Sequence, residues 1–243
     1  MSRMQFYQPP APIAVISFDL DDTLYDNVPV MVHAEQQVQR FMHQHYPQTQ
    51  QWQLQHWQQL RQQIMRHDVK LAGDMTALRL HTLERGFYEL GVSDAKQAAQ
   101  QTLQQFLRYR SQIDVPAETH EVLQALAQHA RLIAISNGNA NVEKIGLAPY
   151  FDLILQPSAE HRGKPFNDMF VAAQQHYPQL PANAFLHVGD HPLSDIEGAR
   201  RAGWQSAWYT GGLGRRRHLR GLPTMEFDQL PALLQLKPLL RQP

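Results

Sequence analysis

Between Ala117 and Thr210 helical stretches alternate with short apolar runs, and this alternation limits the folds open to the chain more than any other feature. ETHEVLQALAQHA leads into RLIAIS, NVEKIGLAPY into FDLILQ, FNDMFVAAQQHY into AFLHVGD, and SDIEGARRAG into WQSAWYT. Continuous apolar runs separated by helices are what a parallel sheet covered on both faces requires, because such strands have no solvent side to make polar. IAVISFDL, near the N-terminus, supplies one more run. The expectation is an α/β fold with a Rossmann-like, five-stranded parallel sheet.

The alternation is interrupted between its first and second strands. From Pro29 to about Ser111 the sequence is rich in glutamine and histidine, with apolar residues at helical spacing, as in Val38, Phe41, Met42 and Tyr46 or Leu83, Phe87 and Leu90. This predicts about four helices, with breaks near Pro47, Gly73 and Gly91. Residues 1–27 and 115–243 are therefore expected to form the α/β core, and 28–114 an inserted cap of four-helix type. Trp52 and Trp57 read as cap core rather than as a stacking platform, and His33, His43, His45, His56, His67 and His81 as surface residues.

Composition excludes several functions. The chain is 43% hydrophobic, enough for a core, and its 22 basic and 22 acidic residues cancel, so no net field steers it to nucleic acid or an anionic membrane. Cysteine is absent, which removes disulfides, thiolate catalysis and zinc–thiolate sites and fits a cytoplasmic protein. IAVISFDL is far shorter than the ~20 apolar residues of a membrane helix. No heptads or apolar stripe define an oligomer, and that state is left open.

Charge is instead concentrated locally. FDLDDTLYDN carries Asp19, Asp21, Asp22 and Asp26 behind a buried-strand pattern. Like charges a few ångströms apart repel, so a cation or proton has to balance them. In parallel sheets ligands bind beyond the carboxyl ends of the strands, and right-handed crossovers bring those ends to one edge. Asp19 is at such an end, as are Ser136-Asn137-Gly138, Lys164 in the loop after FDLILQ, and Gly189-Asp190. Taken singly, such residues are ordinary turn and helix-cap formers; taken as an ordered set on one edge they point to chemistry. Asp22 and Asp26 read as solvated charges or hinge residues, and GGLGRRRHLR, residues 211–220, as an exposed basic loop in which Arg215-Arg216-Arg217 have no assigned role. No role is assigned to His191.

DLDDT with Asp19, Asp21 and Thr23, then Ser136, then Lys164-Pro165, then GDHPLSD with Asp190 and Asp195, resemble the four motifs of the haloacid dehalogenase-like hydrolases in the expected order. The inserted helices resemble the cap of that superfamily's first subclass. The resemblance implies a phosphomonoester hydrolase that needs Mg²⁺. Asp19 would be the nucleophile forming an aspartyl-phosphate, and Asp21 the acid and base for leaving group and water. Asp19, Asp190 and the backbone carbonyl of Asp21 would be the metal ligands. Ser136, Asn137 through its backbone N–H, and Lys164 would bind the phosphoryl oxygens, with Asp195 orienting metal waters or Lys164 and Thr23 ordering the turn. FDLDDTLYDN, IDVPAETH, NGNA, KPFNDMF and LHVGD further resemble the flavin-pathway phosphatases of this superfamily, implying a small substrate such as a ribitylaminouracil phosphate or FMN. The alternatives are a non-enzymatic switch phosphorylated on aspartate, a degenerate regulatory member of the fold, and a dehalogenase, against which the carboxyl at position 21 argues.

Overall fold

The computed structural model describes residues 4–68 and 71–241. Two compact units divide the chain: Met1–Asn27, Asp114–Gly138 and Val142–Pro243 form one, and Val28–Ile113 with Asn139–Asn141 the other.

The first unit is built on one mixed sheet. Its strands are β1 (Met4–Phe6), β2 (Val15–Phe18), β3 (Arg131–Ile135), β4 (Leu153–Leu155), β5 (Phe185–Gly189), β6 (Gln205–Tyr209) and β7 (Met225–Phe227), in the order β1-β7-β6-β5-β2-β3-β4. The five strands read from the apolar runs are adjacent and parallel, and two short strands that the sequence reading missed extend the sheet to seven. β7 pairs parallel with β6, and β1 pairs antiparallel with β7, Met4 opposite Phe227. Edge strands of three residues are too short to show a hydrophobic period.

β2 lies between β3 and β5, and every residue of VISF is buried. The chain leaves β2 toward β3 on one side and later returns to its other side at β5, so the strand order switches at β2. A crevice forms at such a switch, outside the carboxyl ends of the strands. On one face Val15, Ile133, Ile135, Met169, Phe170 and Trp204 pack into a continuous core. At about 25 cal/mol per Å² of apolar surface, burial of such side chains is the main term favouring this unit.

Among the described residues the second unit holds four α-helices, α1 (Val28–His45), α2 (Leu54–His67), α3 (Met75–Glu89) and α4 (Ala95–Arg110). Ala34, Val38, Met42, Leu83, Phe87, Ala99 and Phe106 form its core at the spacings that face one side of each helix. α3 starts where the Asp74 carboxylate accepts hydrogen bonds from the Thr76 and Ala77 amides, and α4 where Asp94 accepts from Gln97. Each cap satisfies donors that a first helical turn leaves without partners. Trp57 meets Trp52 and Phe87 edge to face, at 5.0 and 5.9 Å between ring centroids, so both tryptophans belong to the packing of this unit.

Candidate active site

The carboxyl ends of β2 and β5 deliver a cluster of acids around one ammonium. Asp19 follows β2 directly and is tied to β5 by its amide, which donates to the Val188 carbonyl at 2.8 Å. Asp190 follows β5. Asp195 lies in the π-helical turn Pro192–Glu197, and its Oδ2 accepts from the His191 amide at 2.8 Å. One carboxylate oxygen from each of Asp19, Asp190 and Asp195 falls within a span of 4.8 Å, and all three residues are buried. The approach is so close at Gly189 that a Cβ there would lie 2.3 Å from the Asp195 Cγ. Any side chain at 189 would displace Asp195.

Lys164 is the cation of the cluster. Its Nζ lies 2.8 Å from Asp19 Oδ1 and 2.7 Å from Asp195 Oδ1, and it donates a further hydrogen bond to the Ile135 carbonyl. Burial works against the charge on Lys164, but the Asp19 and Asp195 carboxylates outweigh it and hold the ammonium above its usual range. Burial also opposes the charge on Asp195, yet Lys164 and a hydrogen bond from His187 pull its carboxyl well below the usual range. Asp19 shares the same ammonium with less benefit. Its burial, with Asp195 and Asp21 nearby, pushes it up to about 8 against the pull of Lys164. Asp190 is pushed up to about 7, by burial first and then by Asp195 and Asp22.

Were all three carboxylates ionised they would outnumber the one ammonium by two, and burial together with that crowding is what pushes Asp19 and Asp190 upward. Hard oxygen donors in this number suit Mg²⁺, which takes one or two protein carboxylates and keeps several waters. Asp195 already spends both oxygens on Lys164 and the His191 amide, so Asp19 and Asp190 are the better placed donors.

The remaining predicted residues fall around this cluster. In the turn after β2, Asp22 has φ 59°, a left-handed value that aspartate tolerates, its amide donates to the Tyr25 carbonyl, and its Oδ1 accepts from the Asn27 amide. Asp22 thus shapes the turn instead of being a solvated charge. The Tyr25 hydroxyl donates to Asp21 Oδ1 at 2.6 Å and orients that carboxyl. Thr23 is buried, but the turn is held by backbone bonds, with the Thr23 and Leu24 amides donating to the Leu20 carbonyl, and its hydroxyl makes no hydrogen bond among the described residues. Asp26 is exposed. Ser136 directly follows β3, and its hydroxyl accepts from the Gly138 amide at 3.2 Å. The Asn137 side chain holds Lys164: its Oδ1 accepts from the Lys164 amide at 2.7 Å and its Nδ2 donates to the Lys164 carbonyl at 2.8 Å.

Two features were missed from the sequence. The first is the loop 211–214, read as part of an exposed basic segment. Asp190 Oδ2 accepts from the Leu213 amide at 2.8 Å and the Gly214 amide at 3.2 Å, so the backbone of the loop is a wall of the site, while the Leu213 side chain and the arginines that follow at 215–217 are exposed. A Cβ on Gly212 would lie 2.4 Å from the Asp190 Cβ and 2.6 Å from the Asp22 carbonyl oxygen. The doublet GG followed by LG was the available signal. Gly212→Ala is expected to shift Asp190 and, if the acid cluster takes up Mg²⁺, to weaken that binding about 10–100-fold, the usual effect of losing support behind a ligand. Calorimetric titration with Mg²⁺ would check this, and unchanged affinity would remove the loop from the site. The second feature is His187, inside β5 and fully buried. Its Nδ1 lies 2.9 Å from Ser17 Oγ and its Nε2 3.2 Å from Asp195 Oδ1. Burial and then the Lys164 charge push it down to about 4, which keeps the imidazole neutral. A polar residue inside an otherwise apolar run was its only signal.

A parallel sheet with an acid cluster and a lysine at its switch point defines a class of hydrolase, and residues 13–203 match the haloacid dehalogenase-like hydrolase family, to which the chain belongs. It is 37% identical over 238 residues, covering 96% of this chain and the whole of the relative, to the Escherichia coli K12 protein named 5-amino-6-(5-phospho-D-ribitylamino)uracil phosphatase YigB. It is 32% identical to a solved structure named as a 2-haloacid dehalogenase from Pseudomonas syringae pv. Tomato DC3000, with a TM-score of 0.85 over 92% of this chain and 97% of that one. The HAD-hydrolase YfnB of Bacillus subtilis, solved bound to magnesium, shares the fold at 19% identity, with a TM-score of 0.66 over 93% of this chain and 98% of that one.

Proposed function

We propose that the protein is a Mg²⁺-dependent phosphatase acting on a small phosphomonoester through an aspartyl-phosphate on Asp19. The observation that carries this reading is the buried cluster of three carboxylates around one lysine at the strand ends, in which burial and mutual repulsion push Asp19 and Asp190 upward. A divalent cation would relieve that repulsion, keep Asp19 ionised, and let the site accept an anionic phosphoryl group beside Lys164. Asp19 and Asp190 would hold Mg²⁺, with the Asp21 carbonyl, and when bound it would offset charge on the carboxylates and the phosphoryl oxygens.

The protein groups divide the work as follows. The Asp19 carboxylate attacks phosphorus while the bond from phosphorus to the alcohol oxygen breaks, and Asp21 gives that oxygen its proton. A water then returns a proton to Asp21 and attacks phosphorus, the Asp19–phosphorus bond breaks, and inorganic phosphate leaves. Tyr25 fixes Asp21 for both transfers. Lys164 and the Ser136 hydroxyl would meet the phosphoryl oxygens. The Asn137 side chain supports Lys164, and the backbone N–H of Asn137 would meet an oxygen. The similarity to YigB favours the ribitylaminouracil phosphate as substrate, with FMN as a related compound.

A second reading, hydrolysis of a 2-haloacid, is favoured by the similarity to the Pseudomonas syringae structure. A halide leaves without a proton, so Asp21 would have no task in that reaction. The test measures phosphate and halide release from a panel of flavin-pathway phosphates, sugar phosphates, nucleotides and 2-chloropropionate, with Mg²⁺ or EDTA. Phosphate release that EDTA abolishes is expected, strongest for the ribitylaminouracil phosphate. Halide release with no phosphate release would replace this reading with the second one, and release of neither would favour a phosphorylated switch.

A further inference from the structure

Nothing in the reaction above uses His187, yet it lies behind the Asp195 carboxylate that receives the lysine. The ring is wholly buried within β5. Phe170 meets it edge to face at 5.2 Å, with an interplanar angle of 85°, which fixes the ring plane. Its two nitrogens face different partners. Nε2 lies 3.2 Å from Asp195 Oδ1, the same oxygen that receives Lys164 Nζ at 2.7 Å, and Nε2 is itself 3.4 Å from that Nζ. Nδ1 lies 2.9 Å from the hydroxyl of Ser17, a buried residue of β2.

Donors and acceptors select one tautomer. Asp195 Oδ1 can only accept, so Nε2 must carry the hydrogen for that contact to be attractive. Nδ1 is then an acceptor, and Ser17 supplies the hydrogen it needs. The opposite tautomer would turn a nitrogen lone pair on a carboxylate inside a low-dielectric core. A second proton would set an imidazolium against the Lys164 ammonium.

We infer that His187 is a positioning residue for the hydrolysis, an Nε2–H imidazole that is oriented by Ser17 and fixes Asp195, so that Asp195 holds the Lys164 ammonium against Asp19. This rests on the proposed phosphatase reading. Lys164 has a flexible four-carbon stem, and its ammonium is placed by what receives its hydrogens. Asp195 Oδ2 is held by the His191 amide, and Oδ1 receives two hydrogens, one from Lys164 and one from His187, so His187 fixes the position of the oxygen that faces the lysine. Errors of about 1 Å in such a group can cost about 10²-fold in rate.

Two amides separate this role from simple packing. The glutamine amide nitrogen can occupy the place of Nε2, whereas that of asparagine falls near Nδ1. His187→Gln therefore keeps the donor to Asp195, and His187→Asn keeps only a polar group facing Ser17. The expected result is kcat within about threefold of wild type for His187→Gln and about 10–100-fold lower for His187→Asn, with little change in KM for either. Equal losses in the two variants, following their losses of thermal stability, would overturn the inference and leave His187 a packing residue. A second measurement is independent of turnover. Nitrogen-15 chemical shifts, with the His187 signals identified by their loss in His187→Gln, are expected to show hydrogen on Nε2 and a bare Nδ1. Hydrogen on Nδ1 would overturn the inference even in an active phosphatase, and the expected tautomer in a protein that releases no phosphate would place the failure in the proposed reaction instead.

Discussion

Asp19→Asn is expected to lower phosphate release by about 10⁴-fold or more while leaving the fold intact, a loss typical of removing a nucleophile that acts as one unit with its neighbours. Asparagine matches aspartate in shape but cannot form the acyl phosphate. Stability is expected to change little, because the carboxylate being removed is poorly accommodated. Burial and the nearby Asp195 and Asp21 push Asp19 up to about 8, and Lys164 keeps Asp195 as a partner at 2.7 Å when the Asp19 charge is gone. A shift under about 1 kcal/mol corresponds to roughly 2–4 °C in melting temperature at this chain length. Single-turnover kinetics and a thermal melt on the same preparation check both halves. Turnover near that of wild type would end the case for attack by this residue.

Lys164→Met is expected to have the largest effect on stability. It keeps most of the side-chain volume but removes the ammonium from between Asp19 and Asp195, each left facing the other in a buried space. The side chains of Lys164 and Asp195 are each 1% exposed, so water cannot replace the lost partner. Breaking a buried pair from one side costs about 3–5 kcal/mol. Adding Asp195→Asn should return a large part of that loss, because the second change removes the charge that the first one stranded. Denaturant unfolding of the two single variants and the double variant measures the coupling. Simple addition of the two losses would show that the two groups act independently.

Much of the site could be read from the sequence because its residues end apolar runs. Asp19, Ser136 and Asp190 stand directly after β2, β3 and β5, and a parallel sheet brings such ends together whatever their separation along the chain. What could not be read depends on contacts that no local pattern records. β1 and β7 are three residues each and are defined by pairing between Met4 and Phe227, which lie at opposite ends of the chain. Asn137 was expected to offer a backbone amide; that its side chain also bonds to the backbone of Lys164 requires knowing that the two loops lie side by side. Gly212 resembles any loop glycine until Asp190 is found against it. His187 breaks the apolar pattern of its strand, and the pattern alone does not say what it meets.

The pair of bonds from Asn137 to Lys164 has a further consequence. A side-chain amide that both donates to and accepts from the backbone of one distant residue reproduces the two bonds of a strand neighbour. The lysine is carried by an irregular segment, and Asn137 docks that segment onto the end of β3 as though it were one more rung of the ladder. The stretch between Leu155 and Lys164 is thereby relieved of any metric duty. The docking bonds at its end, rather than its length, set the point to which the ammonium is delivered.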